Sequence, residues 1–196
     1  DGVSGFPVID IDFGKIDSAY FSVQKCFGLP AGLGVWIVSP RAIRKAQEKI
    51  SKGQLIGSYQ AIPNLLKNAQ KGQTSFTANI LNIYLLAKVS GDMLEKGIGM
   101  IRAEANYKTR LLNHLAETHE QLSQFVTEKR LKSKTVMVAN TSVPSESIIE
   151  VLSKKGFIIG NGYGKFKGKQ IRIASFPTHS KEQIELLVDT ICSMTF

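Results

Sequence analysis

The residue in this sequence best placed to do chemistry is Lys25. It follows an apolar run, Ser18 to Val23, and precedes a loop that carries Gly28, Pro30, Gly32 and Gly34 before a second apolar run, Val35 to Val38. This pattern predicts a strand that ends at the lysine, a tight loop and another strand. Glycines let backbone adopt positive φ and approach a ligand closely, so the amine stands at a sheet edge where a site can form. A primary amine attacks a carbonyl only when neutral, which needs burial or a neighbouring cation to lower its pKa. On residue types alone, Lys25 reads as one more solvated charge in a lysine-rich chain. Arg172, set among alternating isoleucines in Gln170-Ile171-Arg172-Ile173, is predicted to project from one face of a strand. By residue type it is an exposed sheet-face charge.

The loop Gln24-Lys25-Cys26-Phe27-Gly28-Leu29-Pro30-Ala31-Gly32 resembles the Schiff-base lysine loop of class V pyridoxal-phosphate enzymes, most closely that of the phosphoserine aminotransferase branch, with Leu29 as one extra residue. The resemblance extends over essentially the whole chain. It implies a pyridoxal 5′-phosphate cofactor bound covalently to Lys25, whose amine moves a proton between the substrate's α-carbon and the cofactor. Asp1, 24 positions before Lys25 in the partial motif Asp1-Gly2-Val3-Ser4, corresponds to the aspartate that pairs with the pyridine nitrogen and keeps the ring an electron sink. Gln24 corresponds to a phosphate-contacting glutamine where the cysteine desulfurase relatives carry histidine, and Ser22 is a weaker contact to the same phosphate. Thr74, in Gln73-Thr74-Ser75 where the family shows Asn-Thr-Pro, corresponds to a threonine reaching the cofactor phosphate of the partner subunit. Arg172 corresponds to the ligand of the substrate α-carboxylate. The branch's His-Arg pair before that arginine is replaced by Lys165 and Phe166, which leaves Lys165 to supply charge to a substrate phosphate.

With 196 residues, 43% of them hydrophobic and 21% charged, the chain can build a sizeable core. The net charge of +9 comes from scattered clusters, Arg41 to Lys52, Lys129 to Lys134 and Lys165 to Lys169, with no aromatic-interleaved platform, so nucleic acid is not the expected partner. Positive potential also suits phosphate and carboxylate ligands. No run reaches the roughly 20 apolar residues of a membrane span. Cys26 and Cys192 have neither metal nor disulfide spacing, which points to a reducing, cytosolic setting. His114, His119 and His179 show no metal spacing and read as surface or helix residues.

The elements that must position these residues follow from periodicity and caps. Strands are predicted over 16–23, 34–39, 135–139, 157–159 and 170–175. Helices are predicted over 41–51, opened by Ser39-Pro40; 78–95, capped by Thr77; 100–120; 145–154, closed by Gly156; and 181–193, capped by Ser180. Residues 54–70 read as irregular with at most one short helix. Ile80, Leu81, Ile83, Tyr84 and Ala87 are expected to form the buried face of the long helix. Gly97-Ile98-Gly99 is taken as a boundary. Residues 1–96 are then the end of a large domain of α/β fold type I, with a mostly parallel sheet, and 97–196 a small α/β domain with a mostly antiparallel sheet.

The resemblance implies a homodimer with a shared active site, acting on a small amino acid and a 2-oxo acid. The chain corresponds to the later half of such an enzyme and is not expected to act alone. An alanine–glyoxylate or serine–pyruvate type is the runner-up, and a non-catalytic basic binding module the alternative of another class.

Overall fold

The computed structural model describes residues 1–54, 57 and 59–194. After turns over the first residues, β1 (Ser18–Ser22) pairs antiparallel with β2 (Gly34–Val38), Tyr20 standing opposite Trp36. Helices α1 (Pro40–Ser51), α2 (Ile62–Ala69) and α3 (Ile80–Lys96) follow. Pro40 occupies the first turn of α1, and the Ser39 hydroxyl accepts the Ala42 amide, as the Ser-Pro pair predicts. Residues 55, 56 and 58 of the stretch expected to be irregular lie outside the described residues, and 62–69 is helical. The piece of the first sheet in this chain is thus an antiparallel pair.

Helix α3 corrects two expectations. Its cap is Asn79, whose side chain accepts the Asn82 amide, because the helix starts two residues later than Thr77 would set it. Ile80, Leu81, Ile83 and Tyr84 are exposed, Ile80 at 73%. The apolar stripe is real, but this chain puts nothing over it. The side that is packed carries Leu86, Val89 and Met93 against the phenylalanine cluster below the lysine loop.

Gly97, at φ +86°, separates α3 from the long helix α4 (Ile98–Thr118). The remaining elements are β3 (Leu122–Gln124), β4 (Val136–Thr141), α5 (Ser145–Lys154), β5 (Gly160–Asn161), β6 (Gln170–Ala174) and α6 (Lys181–Cys192). Ser180 and Gln183 form a reciprocal capping box at the start of α6. The four strands make one antiparallel sheet in the order β3-β4-β6-β5. Period-2 alternation sends Met137, Ala139, Ile171 and Ile173 to one face, where Leu112 and Leu115 of α4, Ile148 and Leu152 of α5, and Ile184, Leu187 and Ile191 of α6 complete a core. Arg172 falls on the opposite parity.

The strand expected at 157–159 does not form. Pairing with β6 begins only at Gly160, and Ile158 is 96% exposed. β3 was not expected; three residues are too short to show a period. No described helix is long and apolar enough to cross a membrane.

Candidate active site

The lysine loop is built from below by aromatic packing and closed above by backbone bonds. Phe6, Phe21 and Phe27 stack in series, with centroids 4.7 Å apart for Phe6–Phe21 and 5.0 Å for Phe21–Phe27. The Val23 amide donates to Leu33 O, the Leu29 amide to Val23 O, and the Gly28 amide to Lys25 O, which folds Lys25 into a turn just past β1. Asn82, buried at the start of α3, donates from Nδ2 to Pro30 O at 2.9 Å and fixes the far side of the loop. Gly28 has φ +65°, and a Cβ there would lie 2.2 Å from Thr178 Cγ2. The loop therefore fits against the turn between β6 and α6 only because residue 28 lacks a side chain.

The segment ahead of β1 is tied to the same loop. The Gly2 amide donates to Tyr20 O, and Ser4 O accepts from Cys26 Sγ at 3.4 Å and from Thr135 Oγ1 at 2.5 Å. Burial pushes the Cys26 thiol up to about 12, against the pull of Lys108 and Lys25. Cys26 is thus a small apolar packing residue that donates to one carbonyl. Asp1 is exposed, and its Oδ1 accepts the Val3 amide at 2.9 Å.

Two cavities open beside this framework. Gln24 and Lys25 line one of about 560 Å³ with Phe157, Ile159, Ala174 and His179, which brings the lysine to the end of the strand that carries Arg172. Ser22 and Thr74 line another of about 850 Å³ with Tyr20, Trp36, Phe76 and Ile83. Asp1 and Lys165 line neither cavity. Lys165 is exposed, its ammonium 5.2 Å from the Phe166 ring centroid. Arg172 is half-buried: Nε donates to Asn161 O at 2.6 Å, and the guanidinium carbon lies 3.7 Å from the Tyr163 ring centroid.

Whether these residues suit a phosphorylated cofactor is tested by Ser22. Its Oγ is buried with no hydrogen-bond partner among the described residues, and it lines the larger cavity. An orphaned hydroxyl costs about 1–3 kcal/mol unless something accepts from it, and a phosphate oxygen would. Lys25 follows three residues further on and lines the other of the two cavities. The residues present fit the group. Thr74 fits less directly, because its hydroxyl already donates to Phe76 O and must release that bond to reach a phosphate.

One residue of this region was missed in the sequence. Lys108 is 1% exposed, in the middle of α4, and donates to Phe176 O at 2.8 Å and His179 O at 2.7 Å. Burial lowers its pKa, with Glu104 opposing. It holds the turn that presses Thr178 onto Gly28. The readable signal was its register: 101, 105, 108, 112 and 115 form one stripe of α4, and a lysine within an apolar stripe needs internal acceptors. His179 also departs from expectation. It is half-buried in that turn, where Nδ1 accepts the Phe176 amide at 3.1 Å, and burial together with Lys108 lowers its pKa.

A lysine loop seated at the end of a strand, followed by a small antiparallel α/β unit, is consistent with a part of the pyridoxal-phosphate-dependent transferase fold type I. The phosphoserine aminotransferase of Cytophaga hutchinsonii superposes with a TM-score of 0.94 at 44% identity, covering 100% of this chain and 54% of that one. The family model described as Aminotransferase class-V matches residues 1–168, and the chain belongs to that family. A phosphoserine aminotransferase from a Nocardioides species is 26% identical over 97% of this chain and 52% of its own length. An aspartate aminotransferase from Thermus thermophilus shares the fold, with a TM-score of 0.82 at 22% identity over 98% of this chain and 52% of that one. The chain spans about half the length of the relatives it matches.

Proposed function

We propose that the protein to which this chain belongs is a pyridoxal-phosphate-dependent aminotransferase. It moves an amino group between phosphoserine, or a related small amino acid, and a 2-oxo acid such as 2-oxoglutarate, as a step of serine biosynthesis in a reducing, cytosolic setting. The observation that carries this reading is Lys25 at the mouth of a cavity that also holds the end of the Arg172 strand, with the orphaned Ser22 hydroxyl three residues away. When bound, the cofactor supplies an electron sink for the pair left on the substrate's α-carbon.

Lys25 would hold the cofactor covalently and would take and return the α-proton. Gln24 and Ser22 would donate to the cofactor phosphate. Asp1 would pair with the ring nitrogen and keep a proton there. Arg172 receives the substrate carboxylate on its two Nη groups. Thr74 serves the partner subunit's cofactor, which requires a homodimer; the exposed stripe of Ile80, Leu81 and Tyr84 is an apolar surface of the kind a second subunit covers. The change of helix at Gly97 supports a boundary there, with 1–96 closing the large domain and 97–196 forming the small one.

A second reading is favoured by Lys165, which is exposed to solvent over the Phe166 ring. A donor without a phosphate, as in an alanine–glyoxylate or serine–pyruvate type, then suits the site.

Borohydride reduction of the complete protein with cofactor, followed by peptide mapping, tests the core of the proposal. The adduct is expected on Lys25, with amino transfer reduced about 10²- to 10⁴-fold in Lys25→Ala. An adduct on another side chain, or none, overturns it. A panel of amino donors separates the phosphoserine reading from the runner-up.

A further inference from the structure

The Arg172 guanidinium is held on both faces. Gly160 of β5 stands opposite Arg172 in the antiparallel register. A Cβ on Gly160 would lie 2.9 Å from Nη2, 3.3 Å from Cζ and 3.5 Å from Nε, against the flat of the guanidinium and nearer to it than to any atom of a ring. The Tyr163 ring stacks at 3.7 Å and so must occupy the other face. The third constraint is in the plane. Nε donates to Asn161 O, and Asn161 is itself immobilised: its Oδ1 accepts from Ser145 Oγ at 2.9 Å and from the Gly162 and Gly168 amides at 2.7 and 2.9 Å, while Nδ2 donates to Glu146 Oε1 at 2.9 Å. Among the described residues, no protein acceptor meets Nη1 or Nη2.

We propose that Gly160 and Tyr163 are positioning residues that sandwich the Arg172 guanidinium, so that only its Nη edge is offered and the substrate carboxylate must arrive coplanar with it. This deepens the role given to Arg172 above and rests on that reading. A guanidinium fixed in one plane loses less rotamer freedom on binding than a free one, and stacking on an aromatic face holds it without using a donor. Gly160 is then required for width: any side chain there displaces the plane. Tyr163 is required for its ring face and not for its hydroxyl.

The test uses the complete protein with cofactor and three variants, Tyr163→Leu, Tyr163→Phe and Gly160→Ala. Tyr163→Leu is expected to raise the KM of the amino donor about fivefold to thirtyfold, the range for a partly desolvated cation–π contact. The kcat should stay within about twofold and reductive trapping on Lys25 should be unchanged. Tyr163→Phe, which keeps the ring, should behave as the parent within about twofold, and Gly160→Ala should follow Tyr163→Leu. Calorimetric titration with 2-oxoglutarate gives a readout independent of turnover, in which Tyr163→Leu and Arg172→Ala should be non-additive because they act through one group. An unchanged KM in Tyr163→Leu, or an equal loss in Tyr163→Phe, overturns the sandwich while Arg172→Ala still weakens 2-oxoglutarate binding. If Arg172→Ala leaves that binding intact, the carboxylate reading itself fails and the sandwich's role with it.

Discussion

The two halves of the chain bury their apolar residues to very different degrees. From α4 onward, three helices cover one face of a four-stranded sheet, and thirteen buried residues form a single cluster. Before Gly97 there are two small clusters, one of Val8, Cys26, Ile101 and Ala105 and one of Phe21, Val23 and Phe27, while the apolar stripe of α3 faces outward. Even the first of these borrows Ile101 and Ala105 from α4. The second half is organised around its own core; the first is organised around the lysine loop, where Asn82, Ser4 and Thr178 meet residues 26–30. Stability and chemistry are thus laid down in different places.

Paired core and stripe substitutions are the sharpest way to break that contrast. Leu112→Ala should cost about 2–5 kcal/mol in denaturant melts, while Ile80→Ala in the same chain should stay within about 0.5 kcal/mol. Equal losses would mean that a neighbour such as the second subunit proposed above covers α3 during the melt. A smaller effect is expected where the halves meet. Lys108→Met removes the donor from two carbonyls and should destabilise by about 1–3 kcal/mol; stabilisation instead would mean that the cost of burying the ammonium outweighs its hydrogen bonds.

The smallest effect is one of pH. His179 is neutral when its Nδ1 accepts the Phe176 amide, and its folded pKa is depressed by burial first and Lys108 second. Below the unfolded value of about 6.5 the unfolded chain binds the extra proton. The contribution is therefore complete above that pH and is lost as pH falls through the depressed folded value. Facing His179 are Lys108 from α4 and the ring of Phe176. His179→Gln should flatten the fall in melting temperature between neutral and mildly acidic pH. An unchanged slope would show that this imidazole is not the titrating group.

What could be read in the sequence divides by the range of the interaction. Caps and periods are local, and Ser39-Pro40, Gly156 and Ser180 mark their helices where expected. Lys25 stands out in the sequence because a strand end and a glycine loop adjoin it, and the turn just past β1 forms where that pattern puts it. Failures came where distant packing decides. The stripe on α3 has core periodicity without a core, because what would cover it is not in this chain's fold. Residues 157–159 have strand composition, but ladder pairing with β6 begins only at Gly160, opposite Arg172. Lys108 and His179 take their roles from carbonyls and amides about seventy residues away or across a turn, which no local window displays.

The meeting of Gly28 with Thr178 also bears on motion. The Thr178 methyl lies 2.2 Å from where residue 28 would carry its own first carbon, so the bare backbone of a single residue sets how closely the turn and the loop approach. Any swing of α4 and α6 relative to the lysine loop changes this contact.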